Sequence, residues 1–264
     1  ASLRGVSKWY GYIDKPERVP EFMRRAYSML RSGRPGPVVL GIPNASATYD
    51  ETVDPYVSPK GWKSLPDPDD VKIAVEALNG AKKPLLFVGE GVLYANATDE
   101  LRAFAEKANL PVVTTLKAKG AFPENHPLSV GVRGDHVVKY MEEADLIFAV
   151  GSSLSPGRFG HGVPDPINKT IIQCNIDEFD VNRVYESTHA IIGDAKDTLT
   201  SLLAELGSSS SNRADVTDAV KAEKDSGMKV YRDAMASDET PINPYRVYAE
   251  LENTLDKNNS FVTH

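Results

Sequence analysis

Five short stretches of this chain join glycine or small polar residues to the ends of apolar runs: Gly89-Glu90-Gly91, Thr114-Thr115, Gly151-Ser152-Ser153, Asn175-Ile176-Asp177 and Gly193-Asp194. Glycine at such a point lets a backbone approach a pyrophosphate, and a following helix N-terminus offers N–H groups to it. In an open parallel sheet, ligands sit beyond the carboxyl ends of the strands, so the five ends together predict a nucleotide-type ligand. Gly89-x-Gly91 lacks the third glycine of the full dinucleotide fingerprint. Taken alone, it is better explained as a tight strand-to-helix turn.

Gly131-Val132-Arg133-Gly134-Asp135 adds glycines and a cation between elements, and Arg158 lies in SSLSPGRFGHG. Either arginine could pair with a phosphate, and either fits a solvated loop residue about as well. Asp177 and Asp194 stand where helix N-caps are expected. His126, His136 and His161 have no metal-ligand spacing and are expected at the surface or in caps. The single cysteine, Cys174 in TIIQCNI, is expected to be a small buried hydrophobe. No G-x-S-x-G, Walker loop or His-x-x-x-His occurs, and the carboxylates are dispersed. No catalytic set is legible.

The elements that must position these residues show through periodicity. Continuous apolar runs predict strands at residues 84–89, 111–115, 145–151, 170–176 and 190–193. Helices are expected between them at 96–109, 135–144 and 177–185, with 195–206 closing the series and Asp67 capping a further helix. The fold class predicted is α/β: a doubly wound parallel sheet, Rossmann-like, with partial flanking pieces. Ahead of it lie a helix at 16–32 and a strand at 37–42, then a proline-rich linker at 44–66. Behind it come a joint at 207–212 (GSSSSN), a polar helix at 213–236 with a weak point at Ser226-Gly227, and a helix started by Asn243 and Pro244. A strand is expected to begin at 260–263.

The net charge of −7 argues against phosphate-backbone binding, so no nucleic-acid partner is expected. No apolar run approaches the ~20 residues needed to span a bilayer, and the first ten residues lack a signal-peptide core. With one cysteine, a cytoplasmic location is expected.

Several landmarks, in order and at matching spacing, resemble thiamine-diphosphate (ThDP) enzymes of the acetolactate synthase group. VSKWYGYIDKPERVPEFMRRAYSMLRSGRPGPVVLGIP resembles the end of the family's pyrimidine-binding domain. PLLFVGEGV, LPVVTTLKAKGAFPENHPLSVGVRG, ADLIFAVGSSL and AIIGDAKDTL resemble its central domain, and INPYRVYAELENTLDKNNSFVTH is similar to the start of its pyrophosphate-binding domain. The resemblance implies a division into residues 1–43, 44–66, 67–206, 207–242 and 243–264, within a longer ThDP-dependent carboligase or decarboxylase. ThDP and Mg²⁺ would be held by residues outside this chain, which alone would be inactive.

In this family the central domain binds FAD in some members and ADP in others. The matching positions would be Gly89, Gly91, Thr115, Leu116, Gly131, Arg133, Gly134, Gly151, Ser153, Arg158, Asn175, Ile176 and Asp194. Ser153 stands where FAD-binding relatives have an arginine, and Asn175 where they tend to have an acid, which points away from firmly held FAD. The implied partners are the remaining domains and further copies, in a homodimer or homotetramer. A free-standing nucleotide-binding module and a purely architectural domain are the alternatives.

Overall fold

The computed structural model describes residues 2–44, 49–52, 55–156, 162–207, 215–256 and 258–260. Its centre is a six-stranded parallel sheet. The strands are β3 (Pro84–Val88), β4 (Val112–Thr114), β5 (Ser129–Gly131), β6 (Leu146–Val150), β7 (Thr170–Asn175) and β8 (His189–Ile192), in the order β5-β4-β3-β6-β7-β8. The chain reverses direction across the sheet between β3 and β6, and a doubly wound fold has its crevice at that switch. Two earlier strands, β1 (Trp9–Tyr12) and β2 (Val38–Gly41), make a separate parallel pair bridged by helix α1 (Val19–Arg31).

The remaining helices are α2 (Pro68–Gly80), α3 (Gly91–Tyr94), α4 (Thr98–Ala108), α5 (Asp135–Glu143), α6 (Ala195–Glu205), α7 (Val216–Lys229), α8 (Arg232–Met235) and α9 (Pro244–Thr254). Side chains alternate across a strand, so each central strand feeds two cores. Leu86, Val88, Phe148, Val150, Ile172 and Cys174 pack with α2, α4 and α6 on one face. Leu85, Phe87, Val113, Ile147, Ala149 and Ile171 pack with Val137 and Met141 of α5 and Val220 of α7 on the other. Caps start the helices as their residue types require: Asp67 accepts from the Asp69 N–H at 2.9 Å and Asn243 from the Tyr245 N–H at 3.0 Å.

Four expectations need correction. Strand β5 escaped notice because three residues are too few to alternate, and β1 because Gly11 interrupts its apolar pattern; the helix at 16–32 and strand at 37–42 thus have a partner strand. The helix expected at 177–185 is a single 3-10 turn, Glu178–Asp180, ending before Asn182 at φ 57°. Helix α7 runs unbroken through Ser226-Gly227; a Cβ on Gly227 would stand 3.0 Å from the His136 ring, so glycine permits close contact between α7 and α5. His136 is therefore half-buried rather than superficial, and its burial lowers its pKa. His126 follows expectation more closely: its Nδ1 accepts from the Leu128 N–H at 3.1 Å. The joint at 208–212, the strand at 261–263 and His161 lie outside the described residues.

Phe148 is fully buried on β6, its ring 5.6 Å from Phe104 of α4. Truncating it leaves a cavity between sheet and helix. Phe148→Ala is expected to cost about 3–5 kcal/mol in a urea unfolding measurement.

Candidate functional site

The carboxyl ends of β3, β4, β6, β7 and β8 open into two adjoining clefts. One, of about 360 Å³, is bounded by the ends of β6, β7 and β8 and by the loop between α1 and β2. The other, of about 500 Å³, lies over β3 and β4 and reaches Arg183. Arg34, Glu90, Gly151 and Ser153 line both. Of the residues singled out above, Gly89, Gly91, Thr115, Leu116, Gly151, Ser153, Asn175, Ile176 and Asp194 face these clefts. Gly131, Arg133 and Gly134 do not line them; Arg133 is exposed beside Val132, which does. Arg158 lies outside the described residues.

The glycines do something other than cradle phosphate. Gly151 has φ +63°, and a Cβ there would stand 2.8 Å from the Val92 nitrogen. A Cβ on Gly91 would stand 2.8 Å from the Gly151 Cα, and one on Gly89 would collide with the Gly151 carbonyl. The Gly89 amide donates to the Val150 carbonyl at 2.9 Å and the Gly91 amide to the Gly151 carbonyl at 3.0 Å. These turns lock β3 to β6, and the N–H groups of their three glycines are already taken. The helix that follows, α3, is one turn long.

The polar residues are similarly engaged. The Thr115 hydroxyl accepts from the Ala118 N–H at 3.3 Å. Asn175 is buried; its amide donates to the Ser152 carbonyl at 3.3 Å and its oxygen accepts from the Asp177 N–H at 3.1 Å. Asp177 and Asp194 are N-caps, accepting from the Phe179 and Lys196 N–H groups at 3.1 Å each. Asp194 also pairs with Lys63 at 3.0 Å, which raises the lysine's pKa. Cys174 is buried and its thiol pKa is pushed up by desolvation.

Sequence reasoning missed Arg34, Lys63, Asp180 and Arg183. Arg34 follows Gly33, at φ +64°, in a turn-forming Ser-Gly-Arg-Pro-Gly stretch. That stretch carries a loop cation between elements just as Gly131–Asp135 does, and it was the available signal. Every described Lys or Arg lining the clefts has a partner. Arg34 and Arg183 pair with Asp180, Lys63 with Asp194 and Lys117 with Glu90, while Arg31 donates to the Pro59 carbonyl. The volumes suit a nucleotide. The donor set is poorly placed for its diphosphate, because each described cation already holds an acid or a carbonyl, although the five cations outnumber the three acids Asp180, Asp194 and Glu90. Among the described residues, no group of three or more His, Cys, Asp or Glu could hold a metal ion, and no helix is long and apolar enough to cross a membrane.

A family model described as the central domain of thiamine pyrophosphate enzymes matches residues 71–202. The acetolactate synthase large subunit of Corynebacterium glutamicum is 34% identical over 232 residues, covering 83% of this chain and 37% of that protein. A probable acetolactate synthase large subunit of Methanococcus aeolicus is 29% identical, covering 92% of this chain and 44% of its own length. Among solved structures, benzoylformate decarboxylase of Polynucleobacter necessarius superimposes with a TM-score of 0.62 at 27% identity, over 75% of this chain and 38% of that one. The chain thus spans less than half the length of these relatives.

Two outcomes follow from the cleft. Gly151→Ala combines a left-handed backbone with a backbone clash, so a loss of about 3 kcal/mol or more is expected by chemical denaturation. Ser153→Arg places a new cation where both clefts meet; calorimetry is expected to show ADP binding roughly ten- to hundredfold tighter than in the unmodified chain. Unchanged affinity would mean that position 153 does not meet the ligand.

Proposed function

The chain belongs to the thiamine pyrophosphate enzyme family and contains its central domain, and from that premise we propose that it is a portion of an acetolactate synthase-like enzyme acting on 2-oxo acids. The observation that carries this reading is the likeness to acetolactate synthase large subunits, which runs well beyond the central domain alone. The whole enzyme would be a carboligase or decarboxylase. ThDP supplies carbanion stabilisation when bound, and the protein positions it. The described residues offer no fit for the cofactor's diphosphate and Mg²⁺, so they receive no catalytic role here. Their part is to build a rigid sheet with covered faces. A free-standing nucleotide-binding module is less well supported, since the described cations of its defining pocket are already engaged by other groups.

FAD is proposed not to be firmly held, and ADP to bind weakly if at all. The partners proposed are the remaining domains of the same enzyme and further copies of the chain, as a homodimer or homotetramer. Helix α9 fits that expectation: it buries none of its residues and exposes Tyr245, Val247, Tyr248 and Leu251. No part of the reading calls for nucleic acid.

The test is turnover. With ThDP and Mg²⁺ added, this chain alone is expected to release no CO₂ from pyruvate above the buffer rate, whereas the reading frame extended in both directions is expected to do so. Turnover by the chain alone would sink the assignment of catalysis to other residues; no turnover of any 2-oxo acid by the extended protein would sink the reading itself.

A further inference from the structure

We propose that Asp180 is a built-in occupant of the strand-end anion site: its carboxylate holds the guanidinium groups of Arg34 and Arg183, and through Arg34 it latches the β1–α1–β2 unit to the central sheet. Asp180 is the centre of this arrangement. Its side chain is only 5% exposed, yet it meets two guanidinium groups: Arg34 on one oxygen and Arg183, at 3.1 Å, on the other. Its backbone carbonyl accepts from the Gln173 amide at 3.1 Å, and the same amide reaches the Ser152 carbonyl at 3.1 Å. The carboxylate is thereby tied to the turn after β6 as well as to β7. A buried charge left without partners is costly, whereas one bracketed by two cations is satisfied.

The arginine is aimed rather than wandering. Lys8, ahead of β1, donates to the Ser32 carbonyl at 2.6 Å and the Arg34 carbonyl at 2.7 Å, holding both sides of the Gly33 turn. The Ser32 hydroxyl accepts from the Trp62 N–H at 3.1 Å, which ties the same turn to the segment carrying Lys63. Lys63 then repeats the pattern on the far side of the cleft by pairing with the buried Asp194. Two buried acids of the central domain are thus each answered by a cation from outside it. An anionic ligand entering the cleft meets guanidinium groups already committed, at its own desolvation cost.

The latch makes a paired prediction. Removing the acid releases two half-exposed arginines into the cleft and creates an anion site; removing Arg34 loosens the β1–α1–β2 unit alone. The unmodified chain is expected to release no FAD or ADP on denaturation and to show no saturable calorimetric binding of inorganic pyrophosphate below about 1 mM. Asp180→Asn, with unchanged circular dichroism, is expected to bind pyrophosphate about tenfold or more tightly than the unmodified chain, and Arg34→Ala in that background to lose the gain. In Arg34→Ala alone, amide exchange is expected to quicken about tenfold in β1 and β2 while β3, β6 and β7 keep their protection. Stoichiometric nucleotide in the unmodified chain, or a folded Asp180→Asn without gain, overturns the proposal. If Asp180→Asn does not fold, exchange in Arg34→Ala decides: equal protection in all strands overturns the latch. These outcomes are independent of whether the extended protein turns over 2-oxo acids, so either reading can fail without the other.

Discussion

Two glycine turns touch at the middle of the sheet, and the strand-end surface is arranged around that contact. Gly89 and Gly91 after β3 press against Gly151 after β6 so closely that none of the three positions has room for a Cβ. The Gly91 amide closes the contact with a hydrogen bond to the Gly151 carbonyl. This is the switch point of a doubly wound sheet, where ligands ordinarily enter. Here the two clefts open beside the contact, and the amides of Gly89, Gly91 and Gly151 hold the strand ends together.

Electrostatics then shapes what the clefts can accept. A buried acid needs a partner, and Asp180 and Asp194 both find theirs in side chains that come from residues ahead of the central sheet. The same pairs serve two ends: they fasten the β1–α1–β2 unit and the 55–66 segment to the domain, and they engage two of the cleft's cations. A cleft with a nucleotide's volume thus has its described cations already committed to other groups. The described residues supply the scaffold of a cofactor-using family.

Much of the fold was legible because its signals are local. The strands β3 and β6 are uninterrupted apolar runs, and α4 carries Leu101, Phe104, Ala105 and Ala108 at helical spacing. Caps such as Asp67, Asp177, Asp194 and Asn243 were legible because capping chemistry acts within a few residues. The errors share a cause as well. An N-capping aspartate announced a helix at 177–185, but Asp180 is engaged by Arg34 from far along the chain and the chain turns away after one turn. The serine–glycine pair in α7 suggested a break, and contact with His136 made it an accommodation.

By itself the sequence determined the class of fold, the positions of most central elements, the family likeness and nine of the residues that face the clefts, though not Arg34, Lys63, Asp180 or Arg183, which face them too. Periodicity, capping and turn chemistry depend on neighbours along the chain, so they are written where they act. Only the tertiary structure decided what those residues do. It showed that the glycines serve close backbone packing, that Gly131, Arg133 and Gly134 stand off the cleft wall, and that Arg34 reaches an aspartate 146 positions away. Whether a cation is available to a ligand depends on which acid lies beside it in space, and a Coulomb interaction acts through distance in the folded molecule, with no regard for separation along the chain.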